Sequence, residues 1–228
     1  MKLTKGQLNR YLRQIIIPQV GEKGQFKLAK SKVLIVGCGG LGSSCGYYLV
    51  SAGVGTIGLV DSDRVELQNL QRQILHFTTD IGKPKVESAE EKLKKLNPEV
   101  KVVKYNLQLD YSNAKEIIKK YDIVVDCTDN ILTKCILNDT CLKYRKPLVY
   151  ASVVKFYGQV STIVPYKTPC YRCISVEVPN EVESNFSCAS LGIINVVAGI
   201  VGTIQAAEVL KLILNLNGLL AGYILIFD

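Results

Sequence analysis

The sequence is poor in the group proteins most often use to move protons: of 228 residues only one is histidine, His76. A hydride-transferring site needs an acid or base beside its cofactor, and with His76 read as structural none is visible. The basic start (Lys2, Lys5, Arg10, Arg13) has no apolar stretch behind it, so no export signal is read. No internal repeat and no low-complexity linker occurs, which argues against a repeat array or tethered modules. Aromatic residues are few, 7% of the chain, and none interleaves the lysine pairs Lys94–Lys95 and Lys119–Lys120. The net charge of +8 therefore reads as a solvated basic surface or a taste for acidic partners, with nucleic acid a weak candidate.

Charge is absent over one long run, residues 189–207, "ASLGIINVVAGIVGTIQAA". By length it could span a bilayer. Its polar residues, its three glycines and the amphipathic "EVLKLILNL" that follows favour a buried core or interface helix, and no membrane is expected. The chain is 48% hydrophobic, enough for one core, and a single domain over 1–228 is expected. Eight scattered cysteines without an export signal read as reduced thiols in a cytoplasmic protein.

Residues 7–30 read as an amphipathic helical prelude to a first strand at Val33–Val36. A helix over 40–53, a strand "TIGLVD" ending on Asp61, and an irregular polar stretch over 62–82 follow. A helix is expected over 84–96 with Pro84 in its first turn, then a strand near 100–106 and a helix near 111–120. The strand "DIVVDC", a helix over 131–144 and the strand "PLVYAS" complete the alternation. Strands and helices alternating at this spacing specify an α/β, doubly wound, Rossmann-like and mostly parallel sheet. "GQVSTIVPY" and "GYILIFD" are expected to add antiparallel strands at its carboxy-terminal side.

In such sheets ligands bind beyond the carboxyl ends of the strands, where strand order reverses. Three places qualify. "KVLIVGCGGLGSS" carries Gly37, Gly39 and Gly42 in the spacing G-x-G-x-x-G, which brings a phosphate close to the backbone without saying which nucleotide carries it. Asp61 lies 19 residues after Gly42, where an acid would bond a ribose hydroxyl, or it merely ends its strand. Asp129-Asn130 follows the fourth strand, as a carboxylate for Mg²⁺ on phosphates or as a helix N-cap. Asp63 offers a second carboxylate near Asp61. Asn69, Arg72 and Gln73 in "NLQRQ", with Gln68 just before them, and then Lys85 add polar and cationic groups that an NAD site does not need. Lys85 stands in the first turn of its helix, where the helix field disfavours a cation, so an anion is expected beside it. These groups favour ATP.

The segments "YLRQIIIPQVGEKGQFKLAKSKVLIVGCGGLGSS", "LVDSDRVELQNLQRQILH", "IGKPKVESA", "VVDCTDN" and "PCYRC" resemble, in order, those of the ThiF/MoeB adenylyltransferases, relatives of ubiquitin-activating enzymes. The resemblance implies ATP-dependent adenylylation of the C-terminal glycine carboxylate of a ubiquitin-like sulfur-carrier protein ending in Gly-Gly, with release of pyrophosphate. It implies that Gly40 lies against the nucleotide, Asp61 holds the ribose, Asn69, Arg72 and Lys85 contact phosphates, and Asp129 binds Mg²⁺. Arg13 matches an arginine supplied by the second subunit of a homodimer. Cys188 matches a cysteine that takes up the activated carrier, although Ser190-Leu191 depart from the family pattern beside it. The polar loop from 174 to 187 is expected to move over the carrier's tail. Cys170 and Cys173 match half of a four-thiolate Zn²⁺ site whose second C-x-x-C pair the sequence lacks. The sulfur donor is expected to be a separate protein, and thiamin and molybdopterin pathways fit equally. Competing readings are an NAD-dependent oxidoreductase, an ATP-dependent cyclase acting on a modified tRNA base, and a non-catalytic adaptor for a ubiquitin-like protein.

Overall fold

The amphipathic helical prelude consists of three short helices: α1 (Lys5–Arg10), α2 (Leu12–Ile15) and α3 (Gly21–Lys30). The cause is tertiary. Tyr11 leaves the helical path to bury its ring beside Gly53, where its hydroxyl accepts a hydrogen bond from Asn97 Nδ2 at 2.8 Å. Pro18 and then Gly21, at φ +56°, break the next turn. The computed structural model describes residues 3–175 and 191–228. The expected loop over 174–187 and Cys188 lie almost wholly outside the described residues.

From α3 the chain alternates as expected: β1 (Lys32–Val36), α4 (Gly40–Ser51), β2 (Thr56–Val60), α5 (Lys85–Leu96), β3 (Lys101–Tyr105), α6 (Ala114–Ile118), β4 (Ile123–Asp126), α7 (Ile131–Lys143) and β5 (Leu148–Val154). β6 (Tyr157–Ile163), α8 (Tyr171–Ile174), α9 (Asn195–Leu214) and β7 (Leu225–Phe227) follow. The strands form one sheet in the order β3-β2-β1-β4-β5-β6-β7, parallel through β5 and antiparallel at β6 and β7. β1, β2 and β4 are buried on both faces, which is why they read as unbroken apolar runs.

Two cores result. Ile35, Leu49, Leu93, Val125 and Val201 pack on the side of α4, α5 and α9; Leu34, Ile118, Val124, Ile136 and Leu137 pack on the side of α6 and α7. α9 is long and apolar enough to cross a membrane by length and composition alone. It buries Val197, Ala198, Val201, Gln205, Ala206 and Val209, and Gly202 passes so close to Leu41 and Ser44 of α4 that a Cβ would collide with them. Gln205 Nε2 donates to the Asp126 carbonyl at 2.8 Å, tying the helix to the end of β4. One face of the helix is thus packed into the core, while Val196 and Ile200 stay exposed on another.

Boundaries shift where propensity was weak. Pro84 caps α5 from outside the helix, α6 is shorter than 111–120, and β7 holds three residues. The sheet order reverses between β1 and β4, and the functional cleft opens at their carboxyl ends.

Candidate nucleotide-binding site

A cleft of roughly 330 Å³ lies there, walled by the turn after β1, the segments after β2 and β3, and residues 127–130 after β4. Gly37 turns the chain out of β1 at φ +96°, and a Cβ on it would meet the Cys127 carbonyl oxygen at 2.5 Å. Gly42 sits under that turn against the Gly37 carbonyl and does not line the cleft. Gly39 is the N-cap of α4 and has no side chain to satisfy the helix's first N–H groups, which are left for an anion. A Cβ on Gly40 would come within 2.9 Å of the Ala198 methyl, so this wall of the cleft is close-packed backbone.

β2 stops at Val60, one residue short of the expected end, and Asp61 just beyond it does more than close the strand. Its carboxylate accepts the Cys38 N–H at 2.7 Å and the Asp63 N–H at 2.8 Å, fastening the glycine turn to the second strand. Burial raises its pKa, against the opposing pull of Lys85 and those two hydrogen bonds. Lys85 opens α5, as expected, and the anion that its position called for is Asp63: Nζ to Oδ2 is 2.8 Å. The lysine side chain is 7% exposed and the aspartate 65%, so one cation at the cleft wall is neutralised by an acid standing largely in water. Lys85 N–H also donates to the Asp63 carbonyl at 2.9 Å, which fixes the loop after β2 to the helix.

Gly37, Gly39, Gly40, Asp61, Asp63, Arg72, Gln73, Lys85, Asp129 and Asn130 all line this cleft. Asn69 does not; it is buried, and its carbonyl accepts the N–H groups of Arg72 and Gln73, so it anchors the two residues that do. Gln68 is turned outward onto Glu66 at 2.7 Å. Asn130 caps α7, its Oδ1 accepting the Thr133 N–H at 2.8 Å, which is the alternative its position allowed. Arg13 is exposed on α2 and lines no part of the cleft within this chain. Sequence reasoning missed Leu107, Gln108 and Leu109, which follow β3 and form another wall. Their signal was the strand order itself, since β3 lies beside β2.

Gln73 tests whether a nucleotide fits. It is 4% exposed, and its Oε1 has no hydrogen-bond partner among the described residues. A buried acceptor left unmade is costly, and a ribose hydroxyl or an adenine amino group carries the donor it lacks. Asp129 is exposed at the cleft rim, and one carboxylate together with phosphate oxygens suits Mg²⁺. Cys170 and Cys173 bring their sulfurs to 3.6 Å at the start of α8, away from the cleft. Burial alone would push the Cys170 thiol up, but hydrogen bonds from Cys173, Arg172 and Asn138 bring it below its ordinary value. No group of three or more metal-ligating side chains gathers among the described residues.

The fold and this cleft define a Rossmann-like protein with a phosphate-cradling turn and fixed cations. Residues 11–228 match the ThiF family model, and the chain belongs to the ThiF family. It is 44% identical over 233 residues to the sulfur carrier protein adenylyltransferase of Thermus thermophilus, with all of this chain and 86% of that protein covered. It is 43% identical over 227 residues to the adenylyltransferase and sulfurtransferase MOCS3 of Aedes aegypti, with all of this chain and 52% of that protein covered. The chain thus spans about half the length of the MOCS3 relatives it matches. Among solved structures, Escherichia coli MccB with ATP is similar at a TM-score of 0.77 and 31% identity over 91% of this chain and 64% of that one.

Proposed function

We propose that this chain uses ATP to adenylylate the C-terminal glycine carboxylate of a ubiquitin-like sulfur-carrier protein ending in Gly-Gly. The observation that carries the reading is the cleft at the sheet's switch point, which Arg72, Lys85 and Asp129 line together with the open N-terminus of α4. The relatives named for sulfur-carrier adenylylation support the substrate class.

The chemistry follows from the charges. A glycine carboxylate attacks the α-phosphorus of ATP, a bond forms to its oxygen, and the bond to the pyrophosphate oxygen breaks. The nucleophile is already ionised, so no side-chain base is required. This agrees with a chain whose only histidine is buried away from the cleft lining. The obstacle is repulsion between two anions. Arg72 and Lys85 supply fixed positive charge to the cleft, and the free N–H groups at the start of α4, beside Arg72, add to it. Asp61 orients the ribose, Gly40 lets the backbone approach the nucleotide, and Gln73 accepts its hydrogen bond. Mg²⁺, when held on the phosphates through Asp129, supplies further neutralisation of the leaving pyrophosphate.

A homodimer completes the site in this reading. Arg13 stands exposed beside Leu12, Ile16 and Ile17, which are 48%, 61% and 46% exposed, an apolar setting that a second copy would cover. The C-terminal sulfur chemistry belongs to a later step with a separate donor, in thiamin or molybdopterin synthesis, and Cys188 is its candidate acceptor. Cys170 and Cys173 would supply two of the four thiolates of a Zn²⁺ site. Incubating the chain with Mg²⁺–ATP and carriers ending in Gly-Gly, then weighing the carriers, should show an added AMP. A carrier that keeps its mass while the chain binds NAD in preference to ATP would overturn the reading.

A further inference from the structure

The single histidine lies directly beneath the glycine turn. His76 is 3% exposed, and its Nε2 is 2.9 Å from the Cys38 carbonyl oxygen, while its Nδ1 is 2.8 Å from Ser88 Oγ. A carbonyl only accepts, so Nε2 carries the proton. Ser88 Oγ is in turn 3.0 Å from Lys92 Nζ and 3.0 Å from Asp80 Oδ2. Asp80 is ion-paired to Lys92 and accepts both the Phe77 N–H at 2.8 Å and the Ser88 hydroxyl, so the pair orients the serine that packs against the ring.

We infer that His76, held in one tautomer by the Cys38 carbonyl and packed against Ser88, which the Asp80–Lys92 pair orients, is a positioning residue that aims the nucleotide-binding turn. This rests on the ATP reading above. Both peptide groups of Cys38 are pinned: Asp61 takes its N–H and His76 takes its carbonyl. A trans peptide points the next N–H opposite to the carbonyl, so the Gly39 N–H is directed away from buried His76, and Gly39 lines the cleft. Gly39 can rotate freely by itself, and the bond from His76 removes that freedom before a phosphate arrives. The neighbourhood also contains Lys85, Asp61 and Tyr47, and burial first, with Lys85 and Lys92 adding to it, holds His76 below its ordinary pKa and hence neutral.

The test measures Mg²⁺–ATP affinity by calorimetry in the full chain, with no carrier present, alongside ATP–pyrophosphate exchange with carrier. His76→Leu should raise the ATP Kd and KM by about threefold to tenfold, the worth of one hydrogen bond, with kcat at saturating ATP little changed. His76→Gln, whose amide can still donate to the Cys38 carbonyl, should recover most of the affinity even if its denaturation midpoint stays low. Affinity in His76→Leu equal to wild type overturns the inference, as does a loss that His76→Gln shares in full. Should His76→Leu fail to fold, Ser88→Ala decides: a raised ATP KM at unchanged kcat supports the role, and a wild-type KM refutes it. A wild-type chain that binds no ATP defeats the nucleotide reading and this inference together; binding that is indifferent to these variants defeats the inference alone.

Discussion

Lys85 and Lys92 stand on the same helix, two turns apart, each buried and each paired with an aspartate, yet the two pairs differ in what surrounds the acid. Asp80, beside Lys92, is 3% exposed and takes hydrogen bonds from Lys92, Ser88 and the Phe77 N–H. Asp63, beside Lys85, is 65% exposed. An enclosed pair is fixed, because removing one partner strands a charge in a poor solvent. A pair with one member in water can exchange that member for another anion at small cost. The interior pair therefore shapes the protein, and the pair at the cleft holds the cation that the proposed function assigns to a phosphate.

The sharpest way to break this contrast is to remove one acid from each pair. Asp80→Ala should cost about 3–5 kcal/mol of stability in urea denaturation, the range for leaving a buried charge unpaired. Lys85→Ala or Arg72→Ala should leave the fold near intact and abolish carrier-dependent exchange. Asp63→Asn should cost no more than about 1 kcal/mol and leave the ATP KM equal or lower, since it frees Lys85 for the nucleotide. A large stability loss in Asp63→Asn would erase the distinction between the pairs.

pH sharpens the same comparison. Burial pushes Asp80 up, but the Lys92, Phe77 and Ser88 hydrogen bonds outweigh it and hold the carboxyl well below the usual carboxylate range. Its stabilisation is therefore complete above the ordinary aspartate pKa of about 3.9, starts to decline near that value and is lost only as pH falls through the depressed folded value. His76, depressed by burial, is a smaller case of the same sign: the neutral ring is favoured when folded, so stability declines as pH drops below about 6.5. Denaturation midpoints followed from pH 8 to pH 3 should show the shallow His76 step in wild type and not in His76→Gln.

How far the sequence revealed this depended on whether the signal was local. The glycine turn, Asp61 and Asp129 sit at strand ends, and alternating strands and helices carried their positions directly. Lys85 announced an anion by standing in an unfavourable helix field, though Asp63 became its partner only through the folding of the loop after β2. The His76–Ser88–Asp80–Lys92 network was hidden because it joins an irregular stretch to a helix face, with no period to betray it. The family resemblance implied a phosphate contact for Asn69, whereas its backbone role in holding Arg72 and Gln73 needed the tight turn of 67–73 to be seen. The amino-terminal helix broke at Tyr11 because a tertiary contact outweighed its amphipathic pattern.

The most direct measurement is ATP–pyrophosphate exchange, with a Gly-Gly carrier present, in wild type and Lys85→Ala matched for folded fraction. The account requires turnover in the first and none above background in the second. Exchange at a comparable rate in both would show that the phosphates do not meet this lysine, and the cleft would need another purpose.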